Sequence, residues 1–135
     1  MRPIGVIHSP YIDRQKTPIQ PAHSQAAGEI EVYPQFSEGL QDLEGLSHII
    51  LLYVFHRSQG YRLRVRPFLD DRERGLFATR YPKRPNPIGL SIVRLLGREE
   101  NILRISGVDV IDGTPLLDIK PYVPDFDLMN DVRTG

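Results

Sequence analysis

Cysteine is missing from this 135-residue chain. Its absence excludes disulfides, a thiolate nucleophile and Cys-ligated zinc or iron–sulfur centres, and fits a cytoplasmic setting. Long apolar runs are missing too. The longest, Ile49 to Phe55, is far shorter than the roughly 20 residues that cross a bilayer as a helix, and the N-terminus lacks the basic flank and apolar core of a leader, so no membrane partner is expected. Net charge is also lacking, with 17 Lys and Arg against 17 Asp and Glu, which disfavours a non-specific polyanion binder. Neither G-x-G-x-x-G nor G-x-x-x-x-G-K-[ST] occurs, which argues against a Rossmann enzyme or a nucleotide triphosphatase. His8, His23, His48 and His56 lack zinc-ligand spacing. On an extended strand His48 and His56 stand about 26 Å apart, so no metal site is expected.

The residues that are present predict one domain spanning 1–135, with its core expected over 3–127 and no C-terminal extension domain expected. Charges are segregated rather than mixed. From Arg57 to Arg84 nine cations meet only Asp70, Asp71 and Glu73, whereas acids dominate from Asp109 onward. A locally basic segment can meet phosphates or carboxylates.

Short β-rich stretches prevail. Ile4–Ile7, Ile30 with Val32, and Leu63 with Val65 carry strand signals, and His48–Phe55 reads as a central strand buried on both faces. Leu76–Thr79, Ile88–Leu96, Ile102–Ile105 and Val108–Ile111 read as further strands, bounded by Gly, Asn, Pro or charge. A capped helical turn is expected from Ser37 to Gly45, loops at 15–28, 58–62 and 67–75, and fraying after Asp127. Many short strands in a small domain predict a mainly β fold, a small β-barrel with short helical turns.

Two segments carry the chemistry. In FATRYPKRPNPIGL (residues 77–90), Pro82, Pro85 and Pro87 fix φ and restrict the residues before them, so the loop is stiff and presents its cations in a defined pose. It is either a rigid strand connection with solvated cations or a preorganised binding loop. In DVIDGTPLLDIKPY (109–122), Gly113 marks a tight turn, and Asp109, Asp112 and Asp118 bracket apolar runs. Such partly buried acids need partners: Lys120 and the arginines, or a polar ligand such as a ribose diol.

These blocks, with Pro3-Ile4-Gly5-Val6-Ile7-His8-Ser9-Pro10-Tyr11, Leu43-Glu44-Gly45-Leu46-Ser47-His48 and Val65-Arg66-Pro67, resemble the TsaA-like, TrmO-type family of S-adenosylmethionine-dependent tRNA methyltransferases. The resemblance spans residues 3 to 122 in order. It implies a non-Rossmann methyltransferase, a β-barrel that acts as a homodimer and methylates the N6 nitrogen of threonylcarbamoyladenosine beside the anticodon of tRNA. Carried over, the family's cofactor contacts fall on Pro18, Ile19 and Gln20, on His56 and Arg57, on Arg80 and Leu90, and on Asp109, Val110, Ile111 and Asp112. Relatives often have Arg where Ile19 stands, so a contact there is through backbone or packing.

Methyl transfer is a direct displacement that depends on alignment and needs no side-chain nucleophile. A general base would help the carbamoylated nitrogen lose its proton, and Asp112 and Asp118 are the candidates. Arg66, Lys83 and Arg84 are expected to hold the anticodon arm of the RNA. Two alternatives stand beside this reading. One is a non-catalytic RNA-binding barrel in which Tyr61, Phe77 or Tyr81 stacks a base; the other is a methyltransferase with a different substrate.

Overall fold

The computed structural model describes residues 1–12, 26–67 and 70–134. Eight strands follow one another in the described residues: β1 (Gly5–His8), β2 (Ala27–Val32), β3 (His48–Val54), β4 (Arg64–Val65), β5 (Arg74–Gly75), β6 (Ile88–Glu99), β7 (Ile102–Ser106) and β8 (Thr114–Pro121). Six of them close an antiparallel barrel in the order β1-β2-β7-β6-β3-β8, and β4 and β5 form a separate two-stranded hairpin. The expected β-barrel is therefore present. Closure leaves the barrel strands with no free edge, which removes the usual route to edge-to-edge aggregation.

Alternation along each strand sends one set of side chains inward. Ile7, Ile30, Ile49, Leu51, Leu103, Ile105 and Leu116 are at most 1% exposed and fill the interior. Burying each contributes about 1.5–3 kcal/mol. On β3 the inward residues Ile49, Leu51 and Tyr53 are buried, while Ile50, Leu52 and Val54 are only half-buried. The expectation of burial on both faces thus holds for one face only, because the barrel core covers just the inner side.

Three local expectations also change. Ser37 to Gly45 is not one capped turn but parts of two 3-10 pieces, Pro34–Leu40 and Leu43–Gly45, neither with a side-chain cap. Asp42 interrupts them in the left-handed conformation, φ 71°. Leu76–Thr79 is a 3-10 turn over Leu76–Ala78 rather than a strand, closed by the Thr79 amide and hydroxyl, which both donate to the Leu76 carbonyl. Val108–Ile111 stays outside the ladder because Gly107, φ 95°, turns the chain and the Val108 amide donates to the Ala26 carbonyl. A four-residue helix, α1 (Pro124–Asp127), was not expected, and Leu128 to Thr134 has no regular structure.

Candidate functional site

Strand register gathers several segments at one mouth of the barrel. β3 ends where β6 begins, with Val54 opposite Ile88, and β8 begins beside them, with Leu116 opposite Tyr53. Ile7 pairs with Thr114 and His8 with Glu29, so the end of β1 and the start of β2 lie at the same mouth. Five described stretches therefore meet there: residues 9–12, Ala26, the residues after Val54, those before Ile88, and the β7–β8 connection. The chemistry-bearing segments of the sequence fall largely on these stretches.

Inside the mouth runs a chain of three polar side chains. The Ser91 hydroxyl donates to Asp109 Oδ1 at 2.9 Å, and the Tyr53 hydroxyl therefore donates to Ser91 Oγ at 2.6 Å. Ser91 is 2% and Tyr53 3% exposed, so each needs the other as a partner. Burial is the main cause that pushes the Asp109 carboxyl up to about 6, against the opposing hydrogen bonds from Ser91 and its own backbone. The Tyr53 phenol is also pushed up, first by burial and then by the Asp109 charge, with the nearby Arg80 guanidinium acting in the opposite sense. Arg80 is thus electrostatically within reach of this chain.

Gly89 makes this arrangement possible. It lies opposite Tyr53, and a Cβ there would collide with the Tyr53 ring and come within 2.7 Å of the Phe55 ring. The two rings meet edge to face with centroids 5.6 Å apart, a favoured aromatic geometry. Glycine leaves room for both rings to approach β6.

The β7–β8 connection is tied down on its other side by the residues after β1. Ser9 Oγ donates to the Val110 carbonyl at 2.6 Å, the Ser9 amide donates to Asp112 Oδ1 at 3.0 Å, and the Asp112 amide donates to the Tyr11 carbonyl at 2.7 Å. His8 stands 3.5 Å from Asp112 and 3.2 Å from Glu31. The Ile111 carbonyl accepts both from the amide and from the hydroxyl of Thr114. Asp109, Val110, Ile111 and Asp112 therefore form a fixed loop, in which Asp109 points into the mouth and Asp112 braces the rim.

The other candidates are distributed less evenly. His56 and Arg57 are exposed just beyond β3, and Arg57 donates to the Ile12 carbonyl at 3.3 Å. Leu90 has the opposite parity to the inward Ser91 and is 42% exposed on the outer face. Asp118 is opposite the outward Leu52, pairs with Lys120 at 3.1 Å and accepts from the Ile119 amide, so it stands apart from Asp109 and Asp112. Arg84 donates to the carbonyls of Thr79 and Tyr81 at 2.9 and 3.0 Å and lies 5.8 Å from the Phe77 ring centroid. Its guanidinium braces the stiff loop. Arg66 and Lys83 are exposed and line a common cleft. Pro18, Ile19 and Gln20 lie outside the described residues.

Sequence reasoning missed Tyr53 and Ser91. The signal was the parity of β6: Gly89, Ser91, Val93 and Leu95 share the inner face, and Ser91 is the polar member of that otherwise apolar row.

The model of the tRNA-methyltransferase O N-terminal domain family matches residues 6–128. A probable S-adenosyl-L-methionine-binding protein of Pyrococcus abyssi is 57% identical over 135 residues, covering 99% of this chain and 73% of that protein. The tRNA (adenine(37)-N6)-methyltransferase of Escherichia coli is 40% identical over 132 residues, covering 90% of this chain and 56% of the enzyme. A solved structure described as the crystal structure of TrmO superposes with a TM-score of 0.85 at 46% identity, covering 99% of this chain and 62% of that one. The chain thus spans less than two thirds of the enzyme and of the crystallised protein.

Proposed function

The chain belongs to the family of tRNA-methyltransferase O N-terminal domains, and from that premise we propose that it is an S-adenosylmethionine-dependent methyltransferase acting on tRNA, at the N6 nitrogen of threonylcarbamoyladenosine beside the anticodon. The observation that carries this reading is the convergence at one barrel mouth of an exposed guanidinium, Arg57, the charge of Arg80, and the half-buried carboxyl of Asp109.

The residues at the mouth fit the cofactor by the chemistry of their donors. S-adenosylmethionine, when bound, supplies a methyl group on a sulfonium. Arg57 or Arg80 suits its carboxylate, and the backbone of Val110 and Ile111 offers a firm wall. Because the β7–β8 connection is already hydrogen-bonded to residues 9–11, little ordering cost remains when a ligand binds.

The acceptor nitrogen must give up a proton. Asp109 suits this task better than Asp112 or Asp118, whose carboxylates are engaged with His8 and the Ser9 amide, or with Lys120. A carboxyl raised to about 6 is ionised at neutral pH yet roughly a hundredfold stronger as a base than an ordinary one. Arg66 and Lys83 face the anticodon arm, and Arg84 acts through the loop it braces.

The proposal extends to a cytoplasmic homodimer. On the outer face Leu90 and Ile92, 42% and 41% exposed, lie opposite Leu52 and Ile50, an apolar strip that a second copy can cover. Light scattering should give twice the chain mass.

Calorimetry with S-adenosylmethionine, followed by radiolabelled methyl transfer to tRNA with and without the threonylcarbamoyl group, tests the reading. Saturable heat and labelling of the modified tRNA alone are expected. Absence of heat at millimolar cofactor overturns the methyltransferase assignment, and equal labelling of both tRNAs overturns the substrate.

A further inference from the structure

A cleft of about 600 Å³ lies between the β4–β5 hairpin and the Pro-rich loop. Its volume falls within the roughly 300–1,000 Å³ of small-ligand sites, yet its lining differs from that of a cofactor pocket. Arg62, Arg64, Arg66 and Lys83 contribute four cations, and Tyr61 and Tyr81 contribute aromatic rings. Glu73 is the one acid of the lining, and it stands 3.8 Å from Arg64 with both side chains well exposed. No described carboxylate lies in ion-pair range of Arg62, Arg66 or Lys83.

Cations without carboxylate partners attract phosphates, but they do not account for the tyrosines. A phosphate-tracking surface for duplex RNA needs no aromatic rings, whereas a base that has left its stack gains from one. Tyr61 is 53% exposed, a large aromatic surface left open inside a basic cleft. Tyr81 is held by its own amide, which donates to Thr79 Oγ1 at 3.2 Å, and by the Arg84 bond to its carbonyl. One ring is thus accessible and the other sits on a braced loop, whose residue 80 reaches toward the barrel mouth.

We infer that this cleft is a subsite for one unstacked nucleotide of a single-stranded RNA loop, its base against Tyr61 and Tyr81 and its flanking phosphates against Arg62, Arg66 and Lys83. The inference rests on the tRNA reading above and deepens it: the substrate must present an open loop, with a neighbouring nucleotide splayed into the cleft while the target adenosine enters the mouth.

The test compares a 17-nucleotide anticodon stem-loop with a continuous RNA duplex of equal phosphate count, by fluorescence anisotropy over a salt series. The wild-type chain should prefer the stem-loop. Tyr61→Ala should weaken stem-loop binding roughly 5- to 150-fold, the range expected for loss of one stacked base, and leave duplex binding unchanged. Tyr61→Phe keeps the ring and should restore affinity. Arg62→Ala should flatten the dependence of log affinity on log salt by about 0.7, one released counterion on a single strand. Loss of duplex and stem-loop binding in equal measure, no loss with Tyr61→Ala, or displacement of RNA by polyglutamate as readily as by oligouridylate overturns the subsite. Cofactor calorimetry separates the two proposals. Heat with S-adenosylmethionine but no loop preference sinks the subsite alone, and loop preference without heat sinks the methyltransferase reading alone.

Discussion

The barrel mouth and the basic cleft adjoin one another along residues 79–84, but they are built in opposite ways. At the mouth, Ser91 and Tyr53 are buried and Asp109 half-buried, and each is placed by strands of five residues or more or by the connection hydrogen-bonded to residues 9–11. The cleft rests on two strands of two residues each, a Pro-rich loop, and exposed side chains. The difference teaches where coupling to stability is expected. A change at the mouth disturbs the core and the chemistry together, whereas a change at the cleft should alter binding with little effect on folding.

The largest effect that would test this division is at Gly89. Gly89→Ala places a methyl group in the Tyr53 and Phe55 rings, and neither ring can move without disturbing the Ser91 bond or the core. Destabilisation of about 1–3 kcal/mol is expected, read by denaturant unfolding, with loss of cofactor heat in the fraction that remains folded. A neutral outcome would mean that the mouth is less rigid than the comparison assumes.

Next comes pH. Because the folded-state pKa of Asp109 is raised from 3.8 to about 6, the folded protein holds this proton more tightly than the unfolded chain does. Its contribution therefore favours folding below about pH 4, falls as pH rises toward 6, and is flat above that. Asp109→Asn removes the burial of charge and keeps an acceptor for Ser91. It should stabilise the protein at pH 8 by on the order of 2 kcal/mol, with the gain vanishing near pH 4. Thermal melts across that range check the sign, and a gain independent of pH would show that desolvation of the carboxylate is not the cause.

The smaller effect sharpens the boundary between the two regions. Arg84 is counted with the cleft by its charge but is bound to the loop by two carbonyls. Arg84→Ala should cost about 1–2 kcal/mol of stability and leave the salt slope of RNA binding unchanged, whereas Lys83→Ala should do the reverse. A reduced slope for Arg84→Ala in the salt titration would return Arg84 to the RNA surface.

The sequence reading was strongest where Ile, Leu and Val are dense. β3 and β6 were legible in position, since five of the seven residues of β3 and six of the twelve of β6 are Ile, Leu or Val. It was weakest where hydrogen bonding outside the ladder decides the conformation, as at Leu76–Ala78 and after Gly107. At the site, the motif segments pointed to the β7–β8 connection and to Arg80, but not to the partners of Asp109. A lone serine in a strand and a tyrosine in an apolar run carry no local mark of their meeting. Register brings Tyr53 opposite Gly89, and barrel closure brings Asp109 to Ser91. The fate of Arg84 was equally hidden, because a cation in a basic segment reads as solvated until the carbonyls of a turn are seen to converge on it.

One feature of the barrel bears on how the chain reaches this state. β1 is zipped to β8 through Gly5 with Leu116 and Ile7 with Thr114, so the seam joins residues more than a hundred positions apart. Contacts of such separation form slowly, because loop closure must precede their reward. On a ribosome β1 and β2 can pair at once, and β6 and β7 form a hairpin across Glu100, which takes a left-handed turn at φ 56°. The seam cannot shut until Leu116 has left the exit tunnel. During that interval β1 and β3 each offer an open edge to any passing strand. Aggregation during synthesis, more than instability of the finished barrel, is therefore the hazard this topology carries, and slower translation after residue 106 would lengthen the exposure.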